Sequence, residues 1–161
     1  MHFFQIDNSC FARRIMLYYE LLLIYCLLEA DTDMKVEMHT HTSETSPCAH
    51  ICAQDVIKMY KEAGYDTVVI TDHYSKWVFE KNGAKTPDEV TSHFLKGYKT
   101  ALGCAETYDI NVLLGCEVTL TESPNDYLLY GVNEEFFHKH PFLYNLSLEE
   151  LSEICHNENI L

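Results

Sequence analysis

Residues 35–42 constrain the fold more than any other stretch, because they end a short, partly apolar segment with two histidines two positions apart. Side chains of a β-strand alternate between its faces, so His39 and His41 would point the same way. Neutral imidazole is the commonest metal ligand, and two imidazoles at one strand end supply half of a divalent-metal site. The stretch therefore favours a strand that ends at a metal site, although the pair alone also fits an extended loop.

Length and charge limit the classes of function. The chain has 161 residues, of which 47% are apolar, so it can bury the core of one domain. Its formal net charge of −14 argues against broad binding to nucleic acid or anionic lipid, which needs clustered basic residues. A local anionic substrate is still compatible, because bound divalent cations reverse the sign of the field inside a cleft.

The cysteines indicate the cellular compartment. There are seven, an odd number, and no recognisable secretory signal accompanies them, which predicts mainly reduced thiols in a cytoplasmic protein. Cys48, His50 and Cys52 occupy alternate positions, but they lack the spacing of common zinc sites. We interpret them mainly as small buried or loop side chains.

Residues 1–33 differ from the rest of the chain. Residues 15–28 form an apolar run that contains Glu20, which is shorter than the roughly 20 residues needed to cross a bilayer. The run lacks a signal-peptide cleavage site, so we expect no stable membrane span and favour a helix that packs on the protein or a partner. Because Met34 precedes the first predicted strand, residues 1–33 are interpreted as an extension, native or translated from upstream sequence, and residues 34–161 as the domain.

Helical and strand patterns alternate after the histidine pair. The predicted elements are a helix at 54–63, a strand at 67–71, an irregular segment at 76–86, a helix from Pro87 to about 107, strands at 111–120 and 126–132, a loop at 133–144 and a helix at 147–156. The second strand is followed by Asp72 and His73. Ligand-type residues at the ends of successive strands are typical of a βα barrel.

Four acidic residues are candidates for the same site. Glu117 lies in an apolar strand, where a carboxylate needs a cation, a hydrogen-bonding partner or an exposed position, and metal bridging fits the nearby histidines. Asp72 is interpreted as a helix cap or as a carboxylate that orients an imidazole. Glu44 either reaches the metal or caps the following helix, and Asp126 is a further possible oxygen ligand.

Three motifs therefore stand in order, namely His39-Thr-His41, Thr71-Asp-His73 and Gly115-Cys-Glu117. Together they closely resemble the PHP family, named after polymerase and histidinol phosphatase domains, over residues 34–161. The resemblance implies an α/β fold, part of a distorted (βα)7 barrel with about its first four strands and flanking helices. It also implies two or three divalent metal ions, of zinc, manganese, iron or magnesium.

The same resemblance implies roles for individual residues. His39, His41, His73 and Glu117 fall on metal-ligand positions, with Glu117 as the bridge, whereas Asp126 lies near a position where many members have a histidine. The implied reaction is phosphoester hydrolysis in which hydroxide held by the metals, rather than a side chain, attacks phosphorus. A phosphomonoester such as histidinol phosphate, a nucleotide or a short oligonucleotide would be the substrate.

The sequence also departs from the family pattern. Members continue with a strand that carries a histidine, often before proline, and with a late Asp-x-His motif, whereas His140-Pro141 precedes a helix and comes too early. The chain therefore resembles the first half of a barrel, which fits a truncated gene product, a fragment, or half of a split assembly that self-association or a partner would complete. The alternatives are an inactive metal-binding remnant that serves a partner and, with less support, an amidohydrolase-like enzyme.

Overall fold

The computed structural model describes residues 34–161. The apolar run at 15–28 and two of the seven cysteines, Cys10 and Cys26, lie outside the described residues, and the domain boundary after residue 33 stays a prediction. All five cysteines between residues 34 and 161 are free thiols. None of the helices in this part of the chain has the length and apolar character to cross a membrane.

The described residues form a mixed α/β domain. Its strands are β1 (Val36–Thr40), β2 (Thr67–Ile70), β3 (His73–Ser75), β4 (Asn111–Thr119) and β5 (Asp126–Tyr130). Its helices are α1 (Ala53–Glu62), α2 (Lys76–Lys81), α3 (Pro87–Tyr108), α4 (Glu134–Lys139) and α5 (Leu148–Glu158), with a 3-10 turn at Leu143–Asn145.

The sheet is parallel except for its last strand. β1 pairs with β2, and β2 pairs with the first half of β4, both in parallel. The short strand β3 pairs in parallel with the second half of β4, so β2 and β3 together follow one edge of β4. β5 lies antiparallel on β4. This parallel sheet with flanking helices confirms the predicted α/β class, whereas its place in a larger barrel stays a prediction.

The second predicted strand, at 67–71, corresponds to β2, and a further short strand that the sequence pattern did not predict, β3, follows it. Thr71 and Asp72 separate β2 from β3, and their main-chain groups still bond to neighbouring strands. Thr71 N donates to Thr40 O over 2.8 Å, and Glu117 N donates to Asp72 O over 3.2 Å. The break therefore costs few backbone hydrogen bonds, and it lets His73 begin a new strand opposite Glu117.

Two segments predicted to be irregular contain helices, so those predictions are wrong. α2 lies within residues 76–86, and Ser75 Oγ caps it by accepting a hydrogen bond from Val78 N. α4 lies within residues 133–144, where Asn133 Oδ1 accepts from Phe136 N over 2.9 Å. Each helix has only six residues, too few for a visible apolar period, but each starts at a recognisable cap residue.

The core consists of two apolar clusters on the helices and the sheet. The larger cluster includes fully buried aromatic side chains, namely Tyr74, Phe79, Phe94 and Phe137. The smaller one lies between α1, α3 and the parallel strands and contains Ile57, Val68, Ile70, Ala101 and Val112. Burial of these side chains fixes α3 against the sheet, and α3 in turn contacts the loop that follows β1.

Candidate metal centre

Four predicted ligand residues meet at one end of the parallel strands. His39 lies in β1, His41 directly follows it, His73 begins β3, and Glu117 lies in the second half of β4. His73 and Glu117 are register partners on adjacent strands. The pairing of the sheet therefore brings together residues that are far apart in sequence, as the barrel hypothesis expects.

The donor atoms of these residues converge. Glu117 Oε2 lies 2.8 Å from His73 Nδ1 and 3.1 Å from His41 Nε2, and Glu117 Oε1 lies 3.4 Å from His39 Nε2. The Nε2 atoms of His39 and His41 are 2.9 Å apart. Three imidazoles thus surround one carboxylate, and each oxygen of that carboxylate faces a different set of rings.

The chemistry of this cluster fits a divalent cation. Glu117 is 8% exposed, and its Oε2 atom has no hydrogen bond of acceptable geometry despite the ring nitrogens around it. A buried carboxylate oxygen without a partner is costly, and a cation would remove that cost. Imidazole nitrogen and carboxylate oxygen are also the donors that zinc, manganese and iron take in proteins.

The protonation state of His41 agrees with this fit. Burial, together with the neighbouring His73 and His39, lowers the pKa of His41 from 6.5 to about 4, against an opposing effect of the Asp126 carboxylate. His41 is therefore neutral at physiological pH. Neutral imidazole is the form that can donate a lone pair to a metal ion.

Asp72 organises the loop after β1 and makes no hydrogen bond to the imidazoles in the described part of the chain. Its carboxylate accepts hydrogen bonds of 2.6 Å each from Thr42 N, Thr42 Oγ1 and Ser46 Oγ. Burial raises the pKa of Asp72 to about 6, against the effect of these bonds. Ser46 Oγ also accepts from His73 N over 2.9 Å, so Asp72 acts on His73 through Ser46 and the main chain.

Gly97 allows α3 to approach this hydrogen-bonded group. A Cβ atom at Gly97 would overlap Thr42 Oγ1 and Asp72 Oδ2. The amide of Gly97 also donates to Thr45 Oγ1 over 3.2 Å. The sequence pattern of α3 does not predict this contact, because the apolar period of a helix does not show which distant residues pack against a glycine in its middle.

The other two acidic candidates lie apart from the cluster. Glu44 accepts a hydrogen bond from Ala53 N at the start of α1, with both oxygens at 3.0 Å, so it caps the helix, one of the two roles considered for it. Asp126 is exposed at the start of β5 and accepts a hydrogen bond from Thr119 Oγ1. It lines a cavity of about 420 Å³ that also borders His73, and its hydrogen bond in the described residues is to Thr119 and not to any of the four converging residues.

Cys48 lies next to this centre, a position that the sequence pattern did not predict. Its Sγ atom lies 3.1 Å from His41 Nδ1, and the donor atoms of Cys48, His41 and His73 lie within 4.8 Å of one another. The alternating Cys48, His50 and Cys52 do not form a cluster of their own in the described residues, because Cys52 Sγ donates to Asp55 instead.

Two comparisons with known proteins gave matches. The family model described as "PHP domain" matches residues 37–160. The crystal structure of a proposed metal-dependent phosphoesterase from Bifidobacterium adolescentis is similar at a TM-score of 0.40 and 18% identity, over 60% of this chain and 27% of that chain. The matched part of this chain therefore corresponds to only 27% of the length of that neighbour. No curated protein sequence matches. Because the family match spans most of its length, the chain belongs to the PHP domain family.

Proposed function

We propose that residues 34–161 carry part of the centre of a metal-dependent phosphoesterase. His39, His41, His73 and Glu117 would hold two or three divalent cations, with Glu117 between them. The observation that supports this most is the buried Oε2 atom of Glu117, which lacks a hydrogen bond while two imidazole nitrogens lie within 3.1 Å of it. Zinc, manganese, iron and magnesium are the candidate ions.

The chain's own residues would position the ions and the ester. The carboxylate of Glu117 offers Oε1 toward His39 and Oε2 toward His41 and His73, which suits a bridging ligand. Asp72 and Ser46 hold the loop after β1 and the amide of His73, so the main chain that carries these ligands would already be in place when an ion binds. Bound cations would supply hydroxide near neutral pH and offset the charge that develops on the phosphoryl oxygens.

The proposed substrate is a phosphomonoester of a small molecule, such as histidinol phosphate, a nucleotide or a short oligonucleotide end. The net charge of −14 would repel a long polyanion outside the centre, so small substrates are favoured. Within the centre, the cations would provide the positive field that attracts the phosphate group.

The experiment measures metal content and hydrolysis together. The full chain is stripped with a chelator and reloaded with Mn²⁺ or Zn²⁺, and bound metal and release of phosphate from p-nitrophenyl phosphate are determined. We expect His73→Ala and Glu117→Gln to lose both. His50→Ala is the matched control, since His50 is an exposed histidine of the neighbouring loop outside the cluster. Wild-type protein that binds no metal would contradict the proposal.

One alternative has an observation in its favour. Met38 is 45% exposed and Leu113 is 53% exposed, and both line a cleft on the sheet together with Tyr130. Such apolar exposure suits a protein that self-associates or binds a partner that completes the barrel. Metal binding without hydrolysis in a chain of defined oligomeric state would favour this inactive, partner-binding role over the enzyme.

A further inference from the structure

We infer that Cys48 is a positioning residue for His41: its sulfur accepts the Nδ1 hydrogen and leaves the Nε2 lone pair directed toward His39 and Glu117. The inference rests on the proposed function, because it explains how His41, one of the proposed metal ligands, would be oriented. It gives a role to a thiol that no other part of the proposed mechanism uses.

The two nitrogens of His41 face different neighbours. Nδ1 lies 3.1 Å from Cys48 Sγ. Nε2 lies 2.9 Å from His39 Nε2 and 3.1 Å from Glu117 Oε2. The two nitrogens are separated by one ring carbon and their in-plane bonding directions diverge, so the contact of Nδ1 with Cys48 leaves Nε2 facing the ligand cluster.

The proton count then assigns the roles. A neutral imidazole carries one N–H, so a ring that gives its Nε2 lone pair to a cation has its hydrogen on Nδ1. The group within reach of that hydrogen is Cys48 Sγ, which must therefore be the acceptor. Metal-ligating histidines usually donate this hydrogen to a carboxylate or a carbonyl, and here a sulfur occupies that position.

The geometry around Glu117 is an independent observation that agrees with this tautomer. Glu117 is more than nine-tenths buried, and its Oε2 atom receives no hydrogen bond from the nearby rings. A proton on His41 Nε2 would therefore gain no bond from Glu117, and donating it to His39 Nε2, 2.9 Å away, would occupy the lone pair that His39 needs as a proposed ligand. The Nδ1 position, with sulfur beside it, is the better place for that proton.

The loop that carries Cys48 is held on both sides. Ser43 N donates to Ile51 O over 3.0 Å, which closes the loop, and Ala49 N donates to Ser46 O over 3.0 Å. Ser46 is in turn bonded to the buried Asp72. The sulfur is thus placed by anchored backbone, although the side chain of Cys48 itself is exposed.

The first test needs no metal. Nitrogen–proton correlation NMR on the metal-free full chain reports which ring nitrogen of His41 carries the hydrogen. We expect the Nδ1–H form in the wild type and a shift toward the Nε2–H form in Cys48→Ala, with Cys52→Ala unchanged. The same tautomer in the wild type and in Cys48→Ala would overturn the inference, even if the protein binds no cation and the proposed function fails.

The second test measures affinity for Zn²⁺ by competition with a chromophoric chelator. Cys48→Ala should bind about tenfold to a hundredfold more weakly, as expected when a residue that orients a ligand is lost. Cys48→Ser keeps an acceptor and should lose less, and Cys52→Ala should bind like the wild type. Circular dichroism checks that each variant is folded. Unchanged affinity in Cys48→Ala would contradict the inference.

A third measurement separates positioning from direct ligation. Cobalt(II) bound to a thiolate shows an intense near-ultraviolet charge-transfer band. Absence of this band in the cobalt-loaded wild type supports a positioning role. A band that is present in the wild type and lost in Cys48→Ala would overturn it, because Cys48 would then be a ligand.

Discussion

His73 and Glu117 are register partners on the adjacent parallel strands β3 and β4, and His73 Nδ1 lies 2.8 Å from Glu117 Oε2. Their proximity is a property of the sheet, since backbone pairing sets which residues lie side by side. A slip of one residue would turn one of the two side chains to the opposite face. The candidate metal centre therefore depends on correct pairing of β3 with β4.

Replacing Glu117 should separate metal binding from folding. In Glu117→Gln the shape is kept but the buried negative charge is removed, so we expect the metal-free protein to unfold at the same temperature as the wild type or higher. Free cation at about a hundred times Kd stabilises a binding protein by about 2.7 kcal/mol, and the variant should lose this gain. Thermal unfolding with and without Zn²⁺ measures both effects. A variant that zinc still stabilises fully would exclude Glu117 as a ligand.

Two glycines of α3 should respond in opposite directions to alanine. Gly97→Ala places a methyl group against Thr42 and Asp72, and overpacking of this kind costs about 1–3 kcal/mol. At Gly103 the added methyl group would meet no atom within 4 Å, so Gly103→Ala should gain up to about 1 kcal/mol from helix propensity. Chemical denaturation compares the free energies of unfolding. Stabilisation by both substitutions would show that α3 does not approach Asp72 closely.

Loss of one hydroxyl should disturb the loop after β1. Ser46 Oγ donates to Asp72 and accepts from His73 N, so Ser46→Ala removes one hydrogen bond from the buried Asp72 carboxylate and one from the half-buried amide of His73. The expected cost is about 1–3 kcal/mol in the free energy of unfolding. Ser43→Ala is the control, because Ser43 is an exposed serine of the same loop. Equal unfolding midpoints in urea for the two variants would refute the assigned role of Ser46.

The start of α3 should contribute a pH-dependent stability. Glu89 accepts hydrogen bonds from Lys85 N and Thr86 N, and these bonds lower the pKa of its carboxyl below 4.5. A group with a lowered folded-state pKa stabilises the protein above its ordinary pKa, and this contribution disappears as the pH falls through the folded-state value. Thermal unfolding across acidic pH should therefore show Glu89→Gln less stable than wild type near neutrality and equal to it in strong acid. Equal stability of Glu89→Gln and the wild type near neutral pH would contradict this contribution.

Local patterns determined several parts of the structure by themselves. The alternation of side chains at His39 and His41 placed two imidazoles together, and Thr86 with Pro87 and Glu89 marked the start of α3. Buried β-branched residues indicated β2, and an acid within the apolar run at 111–120 marked Glu117 as unusual. These signals are readable because each depends on residues a few positions apart.

Tertiary structure decided the hydrogen-bonding roles of the acidic and polar residues around the candidate metal centre. Glu44 caps α1, and Asp72 accepts hydrogen bonds from Thr42 and Ser46. Because Gly97 has no side chain, Thr42 and Asp72 can lie directly against α3. The sequence left Glu44 and Asp72 with several roles, since a carboxylate can bind a metal, cap a helix or hold a loop equally well. The choice is made by which donors folding brings within hydrogen-bond distance. For Asp72 those donors come from about thirty residues earlier in the chain, where no local pattern reaches.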